Sequence, residues 1–269
     1  MKIVKSPLRY PGGKSRAIKQ ILRQVPARID EYREPFVGGG SVFLAVKCLF
    51  GRRISRYVIN DLNADLVHFW RAAQRTIDDL AHGVQSFKDG YVDGRELWRF
   101  LHTDGNMSSE MERAVRFFVL NRITFSGVVD SGGYSQYAYE RRFTQSSIGR
   151  LWQLEPILQE VEISCGDYEA LLQDKGENVF IFLDPPYWSA TQSRLYGKNG
   201  KLHTTFDHER FAESMRRCPH KWLITYDDSP KIRDLFSFAH ISEWTLQYGM
   251  NNYMQGKAEK GRELFIRNY

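Results

Sequence analysis

Val179-Phe180-Ile181-Phe182-Leu183-Asp184-Pro185-Pro186-Tyr187 is the stretch on which the reading of this chain turns. Large apolar residues that stop abruptly at Asp-Pro-Pro predict a buried strand running into a rigid loop. Neither proline has a backbone N–H and both restrict φ, so the loop's carbonyls are left to accept hydrogen bonds. An acceptor-only carboxylate, a carbonyl and an aromatic face then lie within four residues. That combination suits a planar ring bearing an amine: the acceptors take its N–H groups and Tyr187 stacks on it. The plainer alternative is a proline-terminated strand with a capping Asp.

Outward from this strand the pattern is α/β. Residues 35–50 run from a glycine-rich turn into an apolar-periodic helix, 56–61 read as a short strand ending in an acid, and 62–82 as a helix. Strands are expected again at Val161–Ile163, Trp222–Thr225 and Glu263–Ile266, with helices near 167–174, 207–217 and 229–236. Between about Asp78 and Glu155 helices and loops dominate, and Ser109-Glu110-Met111-Glu112 is a capping box opening one of them. The alternation predicts an α/β domain interrupted by an insertion: 1–75 as its first part, 76–158 as the insertion, 159–269 as its second part.

The chain has 269 residues, 42% hydrophobic and 26% charged, a globular composition without repeats or low-complexity tracts. No apolar run approaches a membrane span, and the N-terminus shows no secretory h-region. Cys48, Cys165 and Cys218 are scattered without metal-ligand spacing, which points to a reducing cytoplasm and to neither a structural metal nor disulfides. The formal net charge is +6. Met1 to Ile29 holds eight Lys or Arg and no acid. Ser189–Phe206, with Arg194, Lys198 and Lys201, and Arg141–Leu154, with Arg141, Arg142 and Arg150, are also acid-free. Each alone reads as a solvated face; together they favour contact with nucleic-acid phosphates.

In Glu34-Pro35-Phe36-Val37-Gly38-Gly39-Gly40-Ser41 consecutive glycines let the backbone approach a ligand, with the N–H groups of a helix facing it. The dinucleotide fingerprint is excluded because Phe43 stands where its third glycine belongs. Gly13-Lys14-Ser15 is not a P-loop, since Leu8 stands at the first glycine position. Asp61 lies 21 residues beyond Gly40 at a strand end, where α/β cofactor sites place an acid for ribose hydroxyls. A ribose site without a pyrophosphate fingerprint points to an adenosine-type cofactor such as S-adenosylmethionine. The alternative for Asp61 is a helix N-cap before Leu62.

Leu8-Arg9-Tyr10-Pro11-Gly12-Gly13-Lys14, Glu34 to Gly40, Asn60-Asp61 and Asp184-Pro185-Pro186-Tyr187, in this order, resemble the Dam family (D12 class) of DNA adenine-N6 methyltransferases. Weaker matches are Cys165-Gly166-Asp167-Tyr168, Phe206-Asp207-His208, Thr225 to Pro230 and Glu263 to Tyr269. The resemblance covers almost the whole chain. It implies a Rossmann-like S-adenosylmethionine-dependent methyltransferase domain with an inserted, mainly helical target-recognition domain. It also implies that Tyr10 and Lys14 contact the methionine end of the cofactor. Phe36, Gly38 and Gly40 would line the pocket, Asp61 would take the ribose, and Asp167 and Tyr168 would flank the adenine. Asp184 would lie between cofactor and base, and Asp184, Pro185 and Tyr187 would be catalytic.

The implied substrate is double-stranded DNA with the target base extruded. Arg122, Arg141, Arg142, Tyr134 and Gln136 are candidates for base or phosphate contact, beside Arg194, Lys198 and Lys201. Ser126 stands where GATC-methylating members typically carry Asn, and residues 130–145 lack their Asn-Val-Pro-Phe segment, so a GATC target is not implied. Cytosine-N4 or RNA adenine-N6 methylation, or an inert DNA-binding regulator, are the competing expectations. The resemblance further implies a cytoplasmic bacterial enzyme, or a phage-encoded one acting in the host cytoplasm, and admits a cognate restriction endonuclease as partner.

Overall fold

A computed structural model describes residues 3–10, 12–103, 107–190, 205–247 and 260–269. Among these, seven strands form one sheet in the order β3-β2-β1-β4-β5-β7-β6. They are β1 Glu31–Glu34, β2 Arg56–Asp61, β3 Val161–Cys165, β4 Val179–Leu183, β5 Lys221–Asp227, β6 His240–Gln247 and β7 Lys260–Arg267. The first five to form neighbours pair parallel, β1 with β2 and β4, β2 with β3, β4 with β5. β7 slots antiparallel between β5 and β6. Strand order reverses between β1 and β4, the crevice in which open α/β sheets hold ligands. This is the doubly wound α/β arrangement expected from the sequence.

β4 is buried along its whole length, and its alternating side chains feed two cores. Phe180 and Phe182 join a cluster with Phe43, Phe69, Trp70 and Leu120. Val179, Ile181 and Leu183 join one with Phe211, Trp222, Tyr226 and Phe236 on the opposite face. A strand covered on both sides reads as a continuous apolar run, which is why this one is legible.

After α1 Ile18–Leu22 and α2 Ser41–Phe50, the expected helix over 62–82 is two helices, α3 Ala64–Arg75 and α4 Ile77–Gly90. Thr76 breaks it at φ −146°, ψ 56°, and Asp78 and Asp79 then sit in the first turn of α4, where the helix dipole favours acids. α5 (Gly94–Thr103), α6 (Glu110–Ile123), α7 (Gln136–Arg142), α8 (Gln145–Gly149) and α9 (Glu155–Leu158) follow before β3. The capping box of α6 forms as the sequence predicts, between Ser109 and Glu112. α6 packs against α3 and α4, and Leu80, Val84, Phe117 and Phe118 share the core that contains Phe43 and Trp70. The helical segment therefore extends the hydrophobic layer on one face of the sheet.

β1 and β6 are strands for which the sequence pattern assigns no boundaries. β1 is Glu-Tyr-Arg-Glu, yet all four residues are buried. Arg33 is fully buried: its Nε donates to Glu31 at 2.6 Å and its terminal nitrogens to the carbonyls of Leu171, Asp174 and Lys175. Buried charge is tolerated here because each of the three nitrogens has an acceptor and Glu31 balances the charge.

Candidate active site

The carboxyl ends of β1, β2, β4 and β5 open into one cavity of about 620 Å³, a size typical of small-molecule sites. β4 delivers Asp184 into it. Lys14, only 3% exposed, brings its ammonium within 2.8 and 2.9 Å of the two Asp184 oxygens and donates to Gly12 O at 2.9 Å. Thr225 of β5 donates its hydroxyl to Asp184 Oδ1 at 2.8 Å. The carboxylate is thus oriented by two donors from different parts of the chain. The Lys14 ammonium also lies 4.8 Å from the centre of the Tyr187 ring, a cation–π contact. Tyr187 donates its hydroxyl to Glu263 Oε2 at 2.8 Å. Burial pushes the Glu263 carboxyl up to about 7, with Lys14 pulling against that shift.

The glycine turn supplies the next wall. Gly38 and Gly40 sit at φ 47° and 66°, where L side chains are strained. Neither has room for a Cβ: it would lie 2.8 Å from the Tyr10 ring at Gly38 and 2.6 Å from Trp70 at Gly40. Trp70 Nε1 donates to Gly38 O at 3.1 Å, clamping the turn to α3. Asp61 Oδ2 accepts from Gly38 N at 2.9 Å and Oδ1 from Asn63 N at 3.0 Å. The cap of α3 is Asn63, whose side chain accepts from Asp65 N and Leu66 N, so the N-cap reading of Asp61 falls away. Burial pushes Asp61 up to about 6, against the pull of the Asn63, Gly38 and Leu62 N–H groups.

Opposite, Phe36 and Tyr168 lie 5.3 Å apart between ring centres, with Phe206 and Phe211 packed behind. Asp167 is exposed at the rim and paired to Arg210 at 2.9 Å. Tyr10, Lys14, Phe36, Gly38, Gly40, Asp61, Asp167, Tyr168, Asp184, Pro185 and Tyr187 all line the cavity. Its lining acids are Glu34, Asp61, Asp167, Asp184, Asp227 and Glu263, against Lys14, Arg210 and Arg262. The carboxyl groups of Asp61, Asp167, Asp184 and Asp227 beside an aromatic wall fit a nucleoside that carries a positive charge.

The residues expected to meet nucleic acid fare unevenly. Arg122 needs correction: it is 4% exposed and donates to Pro7 O at 2.8 Å and to Arg142 O at 2.9 and 2.8 Å. Burial, with Arg9, Arg150 and Arg142 nearby, pulls its guanidinium down to about 9. Arg122 is a staple, not a surface contact. Arg141, Arg142 and Gln136 are exposed. Tyr134 is half-buried, under the Arg95 guanidinium and bonded to Gln136. Arg194, Lys198 and Lys201 lie outside the described residues.

Four positioning residues lacked an assigned role at the level of sequence. Asn121, fully buried, accepts from Arg9 N and donates to Arg9 O and Gly127 O, fastening the loop that carries Tyr10 and Lys14 to α6. Asn60 donates to Pro35 O and Gly166 O, holding the two cavity loops together. Thr225 and Glu263 are the others. Asn60, Thr225 and Glu263 stand inside quoted motifs and Asn121 beside Arg122, which was the available signal; their partners are separated from them by up to 112 residues.

Over residues 10–250 the chain matches the family described as D12 class N6 adenine-specific DNA methyltransferase. It is 26% identical over 253 residues to the DNA adenine methylase of Vibrio cholerae, covering 90% of this chain and 88% of that protein. It is 27% identical over 205 residues to the type II methyltransferase M.MjaIII of Methanocaldococcus jannaschii, 68% of this chain and 69% of that protein. With the DNA N-6-adenine-methyltransferase of Escherichia phage P1 it shares 27% identity over 245 residues, 86% of this chain but only 31% of that protein. The chain thus spans about a third of the phage protein's length.

Proposed function

Because the chain belongs to the D12 class N6 adenine-specific DNA methyltransferases, we propose that it methylates N6 of an adenine extruded from double-stranded DNA, with Asp184, Pro185 and Tyr187 as the catalytic group. S-adenosylmethionine, the methyl donor, supplies an electrophilic sulfonium methyl when bound. Tyr10, Lys14, Phe36, Gly38, Gly40, Asp61, Asp167 and Tyr168 would hold it. The observation that carries the reading is Asp184, oriented by Lys14 and Thr225 in the same cavity as the Asp61 and Phe36–Tyr168 pocket.

The chemistry follows from the amine. The N6 lone pair is delocalised into the ring and weakly nucleophilic. Asp184 and the Pro185 carbonyl would accept the two N6 hydrogens, leaving the lone pair localised and aimed for direct displacement. Tyr187 would stack on the base. As the N–C bond forms, the methyl–sulfur bond would break to leave a neutral thioether and one N6 proton would be lost to solvent, with no covalent enzyme intermediate. Positioning does most of the work, and orientation effects of this kind reach roughly 7–11 kcal/mol.

Residues 76–158 would form the target-recognition insertion, with Arg141, Arg142, Tyr134 and Gln136 on its nucleic-acid side. Action on DNA would take place in the cytoplasm of a bacterial host, with or without a cognate restriction endonuclease. The test is mass spectrometry of nucleosides from treated DNA and RNA, followed by modification-sensitive sequencing of DNA from expressing cells. N6-methyladenine in DNA within one sequence context is expected. N4-methylcytosine alone, or N6-methyladenine confined to RNA, would overturn the reading, and DNA binding without methylation would mark an inert regulator.

Asp61 makes cofactor binding sensitive to pH. Its ionised form is the better acceptor for ribose hydroxyls, and it titrates at about 6. Cofactor affinity should therefore fall about tenfold between about pH 8 and pH 5, measured by calorimetry, and Asp61→Asn should flatten the profile. A pH-independent wild type would remove Asp61 from the ribose. Stability runs the other way. A carboxyl raised from 3.8 to about 6 contributes stability below 3.8 that is lost as pH rises through 6.

A further inference from the structure

Glu263 is a buried carboxylate for which the methyl-transfer chemistry has no direct use. It stands near the start of β7, and because β7 runs antiparallel it arrives at the carboxyl end of β5, opposite Asp227. On its other side the backbone is paired to β6 at Trp244. It is 1% exposed. Strands on both flanks make its side chain a fixed acceptor, and that acceptor takes the Tyr187 hydroxyl at 2.8 Å.

A tyrosine on a loop is fixed only at its Cα; two side-chain torsions remain to set the plane of the ring. The Pro185-Pro186 segment restrains the near end. Contacts to the faces are loose: Tyr226 lies 5.9 Å away with its plane tilted by 32°, and the Lys14 ammonium 4.8 Å from the ring centre. The bond to Glu263 is what holds the far end. The Tyr187 hydroxyl also meets Thr225, the residue that donates to Asp184 Oδ1. Thr225 therefore stands between the Tyr187 hydroxyl and the carboxylate, with its own hydroxyl proton committed to Asp184.

We propose that Glu263 is a positioning residue: by anchoring the Tyr187 hydroxyl it sets the plane on which the extruded base stacks, and hence the approach of N6 to Asp184. This rests on the reading that Tyr187 stacks on the target base. Glu263 touches neither base nor cofactor in this scheme, so its loss should appear in kcat and in the state of the extruded base, not in cofactor affinity.

The experiment is a double-mutant cycle of Glu263→Ala and Tyr187→Phe. Methyl transfer is followed in single turnovers on duplex DNA, base extrusion by the fluorescence of 2-aminopurine at the target position, and S-adenosylmethionine binding by calorimetry. Each single variant should lose roughly ten- to a hundredfold in rate, the scale of a small misplacement. The double variant should lose no more than the worse single one, because both act through one hydroxyl contact. Glu263→Gln keeps an acceptor oxygen and should recover most of the rate. If Glu263→Ala does not fold, Glu263→Met, which keeps the volume and removes the acceptor, takes its place in the cycle with Tyr187→Phe. Losses that multiply, or a lowered cofactor affinity with unchanged kcat, would overturn the role of Glu263 alone. A wild type that methylates no DNA would overturn the parent reading and this inference with it.

Discussion

Asp184→Ala is expected to lower the rate of methyl transfer by at least about a thousandfold, the scale on which single preorganised polar groups act in catalysis. The substitution removes the acceptor for one N6 hydrogen. It also strips the buried Lys14 of its carboxylate partner, leaving an ammonium 3% exposed with Gly12 O as a hydrogen-bond acceptor. Cofactor binding should remain measurable by calorimetry, because the Asp61 and Phe36–Tyr168 side of the cavity is untouched. Asp184→Asn, which retains one acceptor oxygen and the approximate shape, should fall between. Activity of Asp184→Ala within tenfold of wild type would show that the acceptor role is misassigned.

Arg33→Ala should give the largest loss of stability, about 3–5 kcal/mol, as expected for breaking one side of a buried charged network. It leaves the carbonyls of Leu171, Asp174 and Lys175 without their donors and a void where a fully buried side chain stood. Glu31 keeps a second partner, Arg56, at 2.8 Å, which places the effect in the lower part of that range. A thermal scan should show the midpoint falling on the order of 10 °C for a chain of this size. A shift of only a degree or two would mean that water reaches those carbonyls in the variant.

The central strand and the central strand's neighbour show how far pattern carries. β4 was legible to the residue because both its faces are covered by apolar partners, so burial is written directly into its composition. β1, adjacent to it, is just as buried and carries Glu31, Arg33 and Glu34. Its burial depends on partners far along the chain, Leu171 and Asp174 among them, and no local pattern encodes them. Glu34, bonded to Tyr32 and buried, is held well above the usual carboxylate range by desolvation, which keeps it uncharged and lets an acidic residue lie in a strand core. The site divides in the same way. Asp184, Asp61 and the glycine turn announce themselves by residue type and spacing. Arg122, by contrast, looked like a surface contact because arginine in a loop-rich segment usually is one, whereas here Pro7 and Arg142 supply carbonyls that draw it inward.

By itself the sequence determined the chemistry available: a carboxylate and prolines after a buried strand, a glycine turn that lets backbone approach a ligand, an acid at the next strand end. Those follow from local covalent constraints and short-range periodicity, which survive without knowledge of partners. Only the tertiary structure decided how that chemistry is aimed. Lys14 from the N-terminal loop, Thr225 from β5 and Glu263 from the antiparallel β7 converge on Asp184 and Tyr187. Convergence of this kind is set by strand order and register, which are properties of distant chain segments meeting across one sheet.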